Sequence, residues 1–306
     1  MPITIRQLDT NIELIESPFR DIKLNLLSYQ SNDRTVLIDA YTHTGIKELL
    51  HEIRKPDISI ITHFHMDHCG GSGHLASLGT HIVANYLTKM LCYSTETAQR
   101  GFFPQKHRIW FGEDIVERFL YTLHVELSDL VVHSTDLASA GGVQCIYAPG
   151  HSIDQIVCKI GEFLFTSDSL QGTGIHGEKF GKRIPQIASI KDYLSTLDTL
   201  KSQKPETLIL GHNYLPFSSS IVEGSKVDRL LFDSKSAVVE LIEIGQSILS
   251  EEFLSLGEFT TRLLSHFGIR NLYPQALITA EAIVSWLGAD VEKIAEGEID
   301  LFRLKK

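Results

Sequence analysis

The chain has 306 residues, 43% of them apolar and 22% charged, with a formal net charge of −10. That length and apolar fraction describe a globular chain of one large domain, or a large one with a smaller companion, and exclude disorder and fibrous repeats. The acidic balance argues against a general nucleic-acid binder, because affinity for phosphate backbones rests on Lys and Arg.

Residues 1–17 alternate apolar and polar side chains and carry charges early, without the apolar core and small-residue cleavage site of a signal peptide. No run approaches the roughly 18 apolar residues of a membrane span. Strands are predicted at 12–16, 22–29 and 35–39, and a helix at 45–54. The run 58–62 is apolar and β-branched, as a buried strand should be. A helix at 71–78 and a strand at 81–84 follow. Further strands fall at 143–148, 155–160 and 162–166, separated by Pro and Gly. A helix at 190–202 and a short strand at 206–210 complete a strand-rich α/β pattern.

Two regions depart from that pattern. Residues 86–134 read as mostly helical, with Tyr93, Phe102, Phe103, Trp110 and Phe111 around a turn at Pro104. These aromatics form either the packing of a helical insertion or an apolar lid over a substrate. From about residue 223 to the end the period is helical, and a boundary near 221–225 is marked by Ser218 to Ser220 and Gly224. Ser255 with Glu258 has capping-box spacing, and Pro274 opens a helix that places Leu277, Ala280, Val284 and Leu287 on one face. The expected organisation is a unit at 1–222 and a helical domain or cap at 223–306. Such a tail would cap the mouth of a site or support a homodimer.

The four cysteines, Cys69, Cys92, Cys145 and Cys158, make no C-x-x-C pair, so a reducing, cytoplasmic setting is expected. Cys145 and Cys158 read as strand-core filler. The 14 histidines carry more information. After the apolar run comes His63-Phe64-His65-Met66-Asp67-His68-Cys69-Gly70-Gly71, four potential ligands in six residues. Burying so many polar groups behind a strand is costly without partners. Alternation sends His63 and His65 one way and Asp67 and His68 another, so one segment can serve two adjacent metal ions. His151, Asp168 and His212 each follow a predicted strand end and supply what such a binuclear site lacks. Five imidazoles and two carboxylates suit Zn, Fe or Mn rather than the oxygen cages of Mg and Ca.

The series T-H-x-H-x-D-H-x-G-G, then P-G-H-S, then S-D, then G-H resembles the metallo-β-lactamase superfamily over residues 10–215. The resemblance implies an α/β fold, a four-layer αββα sandwich here extended by C-terminal helices, with two divalent transition-metal ions at one edge. It implies that His63, His65 and His151 hold one ion, that Asp67, His68 and His212 hold the other, and that Asp168 bridges them. Having His68 directly after Asp67 is more similar to the binuclear hydrolases than to the antibiotic-degrading lactamases. Gln7-Leu8-Asp9, the 61–70 loop, the ligand intervals and the helical tail resemble a thioesterase of that superfamily.

The implied function is hydrolysis of a small thioester or ester, acyl-CoA-like, by a water held between two ions and acidified towards neutrality. Asp67 is the candidate catalytic carboxylate, orienting that nucleophile or moving a proton. Asp39 reads either as a support for a ligating imidazole or as a turn residue. The Gly-rich stretch 171–183 reads as a solvated mobile loop, whose Lys182 and Arg183 could meet a carboxylate or the phosphates of a CoA-like carrier. Three alternatives remain: a phosphodiesterase or ribonuclease, a lactonase, and a regulatory protein with a retained metal site. Nine basic against fourteen acidic residues in 223–306 weigh against a nucleic-acid arm. The expected partner is a small molecule, not a membrane.

Overall fold

The computed structural model describes residues 2–31, 33–92, 109–111, 116–117, 121–122, 125, 129–250, 252–297 and 299–305. Two sheets face each other. The first runs β1 (Thr4–Asp9), β2 (Ile12–Phe19), β3 (Ile22–Ser31), β4 (Arg34–Ile38), β5 (Ile58–Ile61) and β6 (His81–Ala84) in that order across the sheet. Its first four strands are antiparallel and its last three parallel, as helical crossovers between β4, β5 and β6 require. The second sheet contains β7 (Gln144–Tyr147), β8 (Ile156–Ile160), β9 (Phe163–Ser167) and β12 (Thr207–Leu210), edged by β13 (Ile221–Glu223). Between β9 and β12 the chain forms a small hairpin of β10 (Ile175–Gly177) and β11 (Gly181–Arg183).

The period-2 alternation of these strands divides the apolar residues among three cores. Ile12, Leu14, Val36, Ile38, Ile58 and Ile60 point inward and meet Ile156, Cys158, Phe165 and Ile209 between the sheets. Leu37 and Ile61, on the opposite face, pack with Ile46 and Leu49 of helix α1 (Gly45–Glu52) and Leu75. Short helices α2 (Met66–Cys69), α3 (Ser72–Ser77) and α4 (Tyr86–Cys92) follow in sequence. On the outer face of the second sheet, Val157, Leu164, Leu208 and Leu210 pack against helix α5 (Ile190–Ser202) through Tyr193 and Leu197. This is the expected four-layer αββα arrangement.

The tail supplies helices α6 (Ser225–Leu249), α7 (Leu256–His266) and α8 (Pro274–Leu287). The capping box at Ser255 and Glu258 forms as its spacing predicts, and Pro274 occupies the first turn of α8. Leu230, Leu241, Phe259, Leu277 and Ile283 join the same apolar cluster that covers the second sheet. The tail is not helical to its end. A strand β14 (Leu254–Ser255) and a hairpin of β15 (Val291–Glu296) and β16 (Ile299–Leu304) form a third sheet. Ile299, Leu301 and Arg303 alternate with Asp300, Phe302 and Leu304, and Gly297, at φ +63°, closes the turn.

The 171–183 stretch is also more ordered than its glycines suggest. Asp21, in the β2–β3 turn, accepts hydrogen bonds from Phe180 N at 3.1 Å and from the Arg183 guanidinium at 2.8 Å on each carboxylate oxygen. Its carbonyl accepts from Glu178 N. Of the aromatic insertion, Tyr93, Phe102, Phe103 and Pro104 lie outside the described residues. Trp110 and Phe111 pack on the core of the second sheet and the tail, Trp110 lying against Gly257 of α7. Those two belong to packing rather than to a lid.

Candidate metal centre

Each of the seven residues singled out lies just past the C-terminal end of a strand. His63 and His65 follow β5, and Asp67 and His68 occupy α2. His151 follows β7, Asp168 comes directly after β9, and His212 after β12. Two local backbone features present them. Gly150, at φ +137°, passes so close to the Tyr193 backbone that a Cβ would collide. Ser167, at φ +47°, turns the chain sharply so that Asp168 points back over the sheet edge. The two sheets touch here: Thr62 O accepts from Ile156 N, and Asn25 N donates to Gly211 O at 2.8 Å.

All seven side chains are buried. Three ring nitrogens converge, His65 Nδ1 lying 3.0 Å from His63 Nε2 and 2.9 Å from His151 Nε2. Opposite them His212 Nε2 stands 3.2 Å from Asp67 Oδ2, and His68 Nε2 stands 3.6 Å from it. Asp168 lies between the groups: its Oδ2 is 3.4 Å from His151 Nε2, 3.5 Å from His68 Nε2, 3.6 Å from His212 Nε2 and 3.9 Å from His63 Nε2. His63, His65, His151 and Asp168 form one set able to hold a metal ion, and Asp67, His68 and His212 form another.

The remote ring nitrogens are fixed by the fold. His68 Nδ1 donates to Asp39 Oδ2 at 2.7 Å, while Asp39 Oδ1 accepts from Thr62 N at 2.8 Å. His151 Nδ1 donates to Gln186 O at 3.0 Å, and His212 Nδ1 to Lys23 O at 2.6 Å. His63 Nδ1 lies 3.0 Å from Thr62 Oγ1, which in turn meets Ser167 Oγ. Such contacts set tautomer and ring orientation. Asp39 therefore touches an imidazole of the cluster, the first of its two readings. Gln171, which bridges Gln186 and the Asp168 carbonyl, was hidden in a Gly-rich loop. Tyr214, buried edge-on to His212, carries no motif beyond standing two residues after it. The Lys23 and Gln186 contacts are made by backbone, which no side-chain pattern can announce.

Burial, reinforced at His63 by His68, holds the His63 and His65 imidazoles well below the usual histidine range; burial likewise lowers His151. These three are neutral bases with lone pairs to offer. At His68 burial is outweighed by Asp39, Asp67 and Asp168, which raise its proton affinity, and at His212 by Asp168 and Asp67. Burial raises both carboxyls, but His68 at Asp67, and His212 and His68 at Asp168, hold them well below the carboxylate range. Seven buried side chains thus bring two carboxylates and five imidazoles together.

Two buried atoms, His68 Nε2 and Asp168 Oδ1, have no hydrogen-bond partner among the described residues. His68 Nε2, unpartnered yet 3.5–3.6 Å from the Asp168 and Asp67 carboxylates, is placed as a metal-ligating nitrogen would be. Nitrogen-rich donors of this kind suit a transition metal.

The family model for the metallo-beta-lactamase superfamily matches residues 26–212. The chain belongs to the metallo-beta-lactamase superfamily. Among solved structures it is similar to a metallo-beta-lactamase family protein from Thermus thermophilus, at 19% identity and a TM-score of 0.71, covering 97% of this chain and 100% of that one. A beta-lactamase domain protein from Burkholderia ambifaria gives 14% identity and a TM-score of 0.75 over 98% and 94% of the two chains. A metallo-beta-lactamase from Pontibacter korlensis covers 77% of this chain and 98% of its own, at 16% identity and a TM-score of 0.53. These likenesses establish the superfamily fold. No curated protein matches the chain. Among the described residues no helix is long and apolar enough to cross a membrane.

Proposed function

We propose that the chain is a binuclear, metal-dependent hydrolase of a small thioester or ester, acyl-CoA-like in kind. The observation that carries this reading is the placement of Asp168 Oδ2 within 3.4–3.9 Å of four imidazole nitrogens from both donor sets. In this reading His63, His65 and His151 hold one ion and Asp67, His68 and His212 the second, with Asp168 shared. Zn, Fe and Mn all fit the donors. When bound, such a pair polarises a carbonyl and acidifies a water towards neutrality.

The protein's own groups do the rest. Asp39, Gln186 O and Lys23 O hold the rings in place, so little reorganisation is needed on reaction. Asp67, which lines the cleft and whose Oδ2 stands 3.2 Å from His212 Nε2, is the carboxylate we assign to orienting the attacking water or accepting its proton. The resemblance of Gln7-Leu8-Asp9, the 61–70 loop and the tail to PqsE, the quinolone-signal response protein and 2-aminobenzoylacetyl-CoA thioesterase, supports a thioester over a phosphodiester.

Elemental analysis of protein expressed in metal-replete medium should find about two transition-metal ions per chain. None bound, with no uptake on titration, would remove the site. Asp168→Ala should reduce hydrolysis of an acyl-CoA or aryl ester by at least ~10³-fold while leaving the circular dichroism spectrum unchanged. An unchanged rate would place the activity elsewhere.

A further inference from the structure

The cleft continues beyond the candidate ligands. Arg20, Arg183, Tyr273 and Gln275 border both the metal cleft and a larger cavity of about 490 Å³, so the two form one groove. One wall is the β10–β11 hairpin with Phe180, and the other, residues 268–275, is the α7–α8 connection with the first residues of α8. Phe180, Ile269, Leu272 and Pro274 supply apolar surface.

The charge of this groove runs against that of the molecule. Arg20, Lys182, Arg183 and Arg270 border the cavity, and among the described residues no Asp or Glu does, on a chain of net charge −10. Arg183 is neutralised by Asp21 at 2.8 Å. Arg20, Lys182 and Arg270 are exposed and have no carboxylate partner among the described residues. The Arg20 guanidinium stands 5.3 Å from the Phe19 ring centroid and the Lys182 ammonium 5.4 Å from that of Phe267. Both cationic heads thus lie over aromatic faces rather than against a carboxylate, and both residues are exposed. Three uncompensated cations beside an apolar wall match a ligand that is both amphipathic and multiply anionic, and a single carboxylate leaves most of that charge unmet. Arginine pairs with phosphate through two parallel hydrogen bonds, which favours a phosphate ester.

We propose that the groove is a subsite for the phosphorylated thiol carrier of a thioester substrate, leaving the acyl carbonyl at the metal cleft. The subsite rests on the hydrolase reading of that cleft. It also gives the tail a role, because Arg270 and the 268–275 wall belong to residues 223–306. Hydrolysis there breaks the carbonyl–sulfur bond, joins water oxygen to the carbonyl carbon, and returns a proton to the carrier thiol.

The test is calorimetric binding to the metal-loaded full chain. The ligands are S-methyl coenzyme A, a thioether that cannot be hydrolysed, and S-methyl pantetheine, which shares the stem but lacks phosphates. The phosphorylated ligand should bind at least about tenfold tighter, and raising salt from about 50 to about 500 mM should weaken it alone. Lys182→Gln with Arg270→Gln, two exposed positions, should lower its affinity about tenfold with an unchanged melting temperature. Equal affinities for the two ligands, or an affinity indifferent to both salt and the double substitution, would overturn the subsite. Hydrolysis of an uncharged aryl acetate by the unaltered protein reports on the metal cleft separately, so failure of one reading is distinguishable from failure of the other.

Discussion

The carboxylate of Asp39 serves two donors at once, the His68 imidazole and the Thr62 amide, and it is fully buried. Removing it strands both donors away from water, at a cost of about 1–3 kcal/mol each. Asp39→Ala should therefore lower the melting temperature and weaken metal uptake by about 10–100-fold in a competition titration with a chelator. A variant that takes up metal with unaltered affinity would make Asp39 a turn residue only. Asp154 offers a pH test at a carboxyl outside the seven clustered residues. Burial pushes its carboxyl up to about 6, although Thr88 Oγ1 donates to it at 2.7 Å and Ser152 Oγ also donates. Its folded-state pKa lies above the unfolded value, so the folded state binds the extra proton. The stabilisation is complete below about pH 4 and is lost as pH rises through about 6. Asp154→Asn should remove that slope, with the difference in unfolding free energy changing by roughly 2–3 kcal/mol between those limits. Denaturant titrations at several pH values read it directly, and parallel curves for the two proteins would refute it.

Among the elements, those with their own periodicity were legible. Strand β6 and helix α5 fall on the expected residues, and β2 to β5, β8, β9 and β12 within a few, because alternation of period 2 or 3.6 is written locally. The β10–β11 hairpin was not. Its order comes from Asp21, over 150 residues away in sequence, and a Cβ at Gly177 would run into that carboxylate. Asp21→Ala should release the hairpin, and amides at 175–183 should exchange with deuterium at least about tenfold faster while those of β5 and β9 keep their protection. The β15–β16 hairpin was hidden for a related reason. Its strands are half-exposed and pair mainly with each other, so they lack the continuous apolar run that marks a buried strand.

For the whole molecule, the decisive fact is how its cores are shared. The cluster between the sheets and the one beneath α1 are built before residue 222, but the third draws on both sides of it. We propose that residues 223–306 act as a cap continuous with the catalytic unit. A chain ending at residue 222 would expose the outer apolar face of α5 that Leu230, Leu241 and Ile283 help to cover. It should aggregate, or melt far below the full chain, in size-exclusion and thermal measurements. A monodisperse fragment with the full chain's melting temperature would show the tail to be dispensable.

By itself the sequence determined the superfamily, the αββα layering and the seven polar residues gathered at one sheet edge. The strand pattern and the seven residues rest on short-range signals, namely alternation, Gly and Pro punctuation and a burst of histidines too costly to bury without a purpose. The superfamily and its layering were implied by the resemblance of the motif series. Only the tertiary structure decided how the rings are held, what the Gly-rich stretch becomes and where the tail goes. Those depend on backbone carbonyls such as Lys23 O and Gln186 O, on the reach of Asp21 across the fold, and on an apolar cluster built from both halves of the chain. Contacts between residues far apart in sequence leave no periodic trace, so they become visible only when the chain is folded.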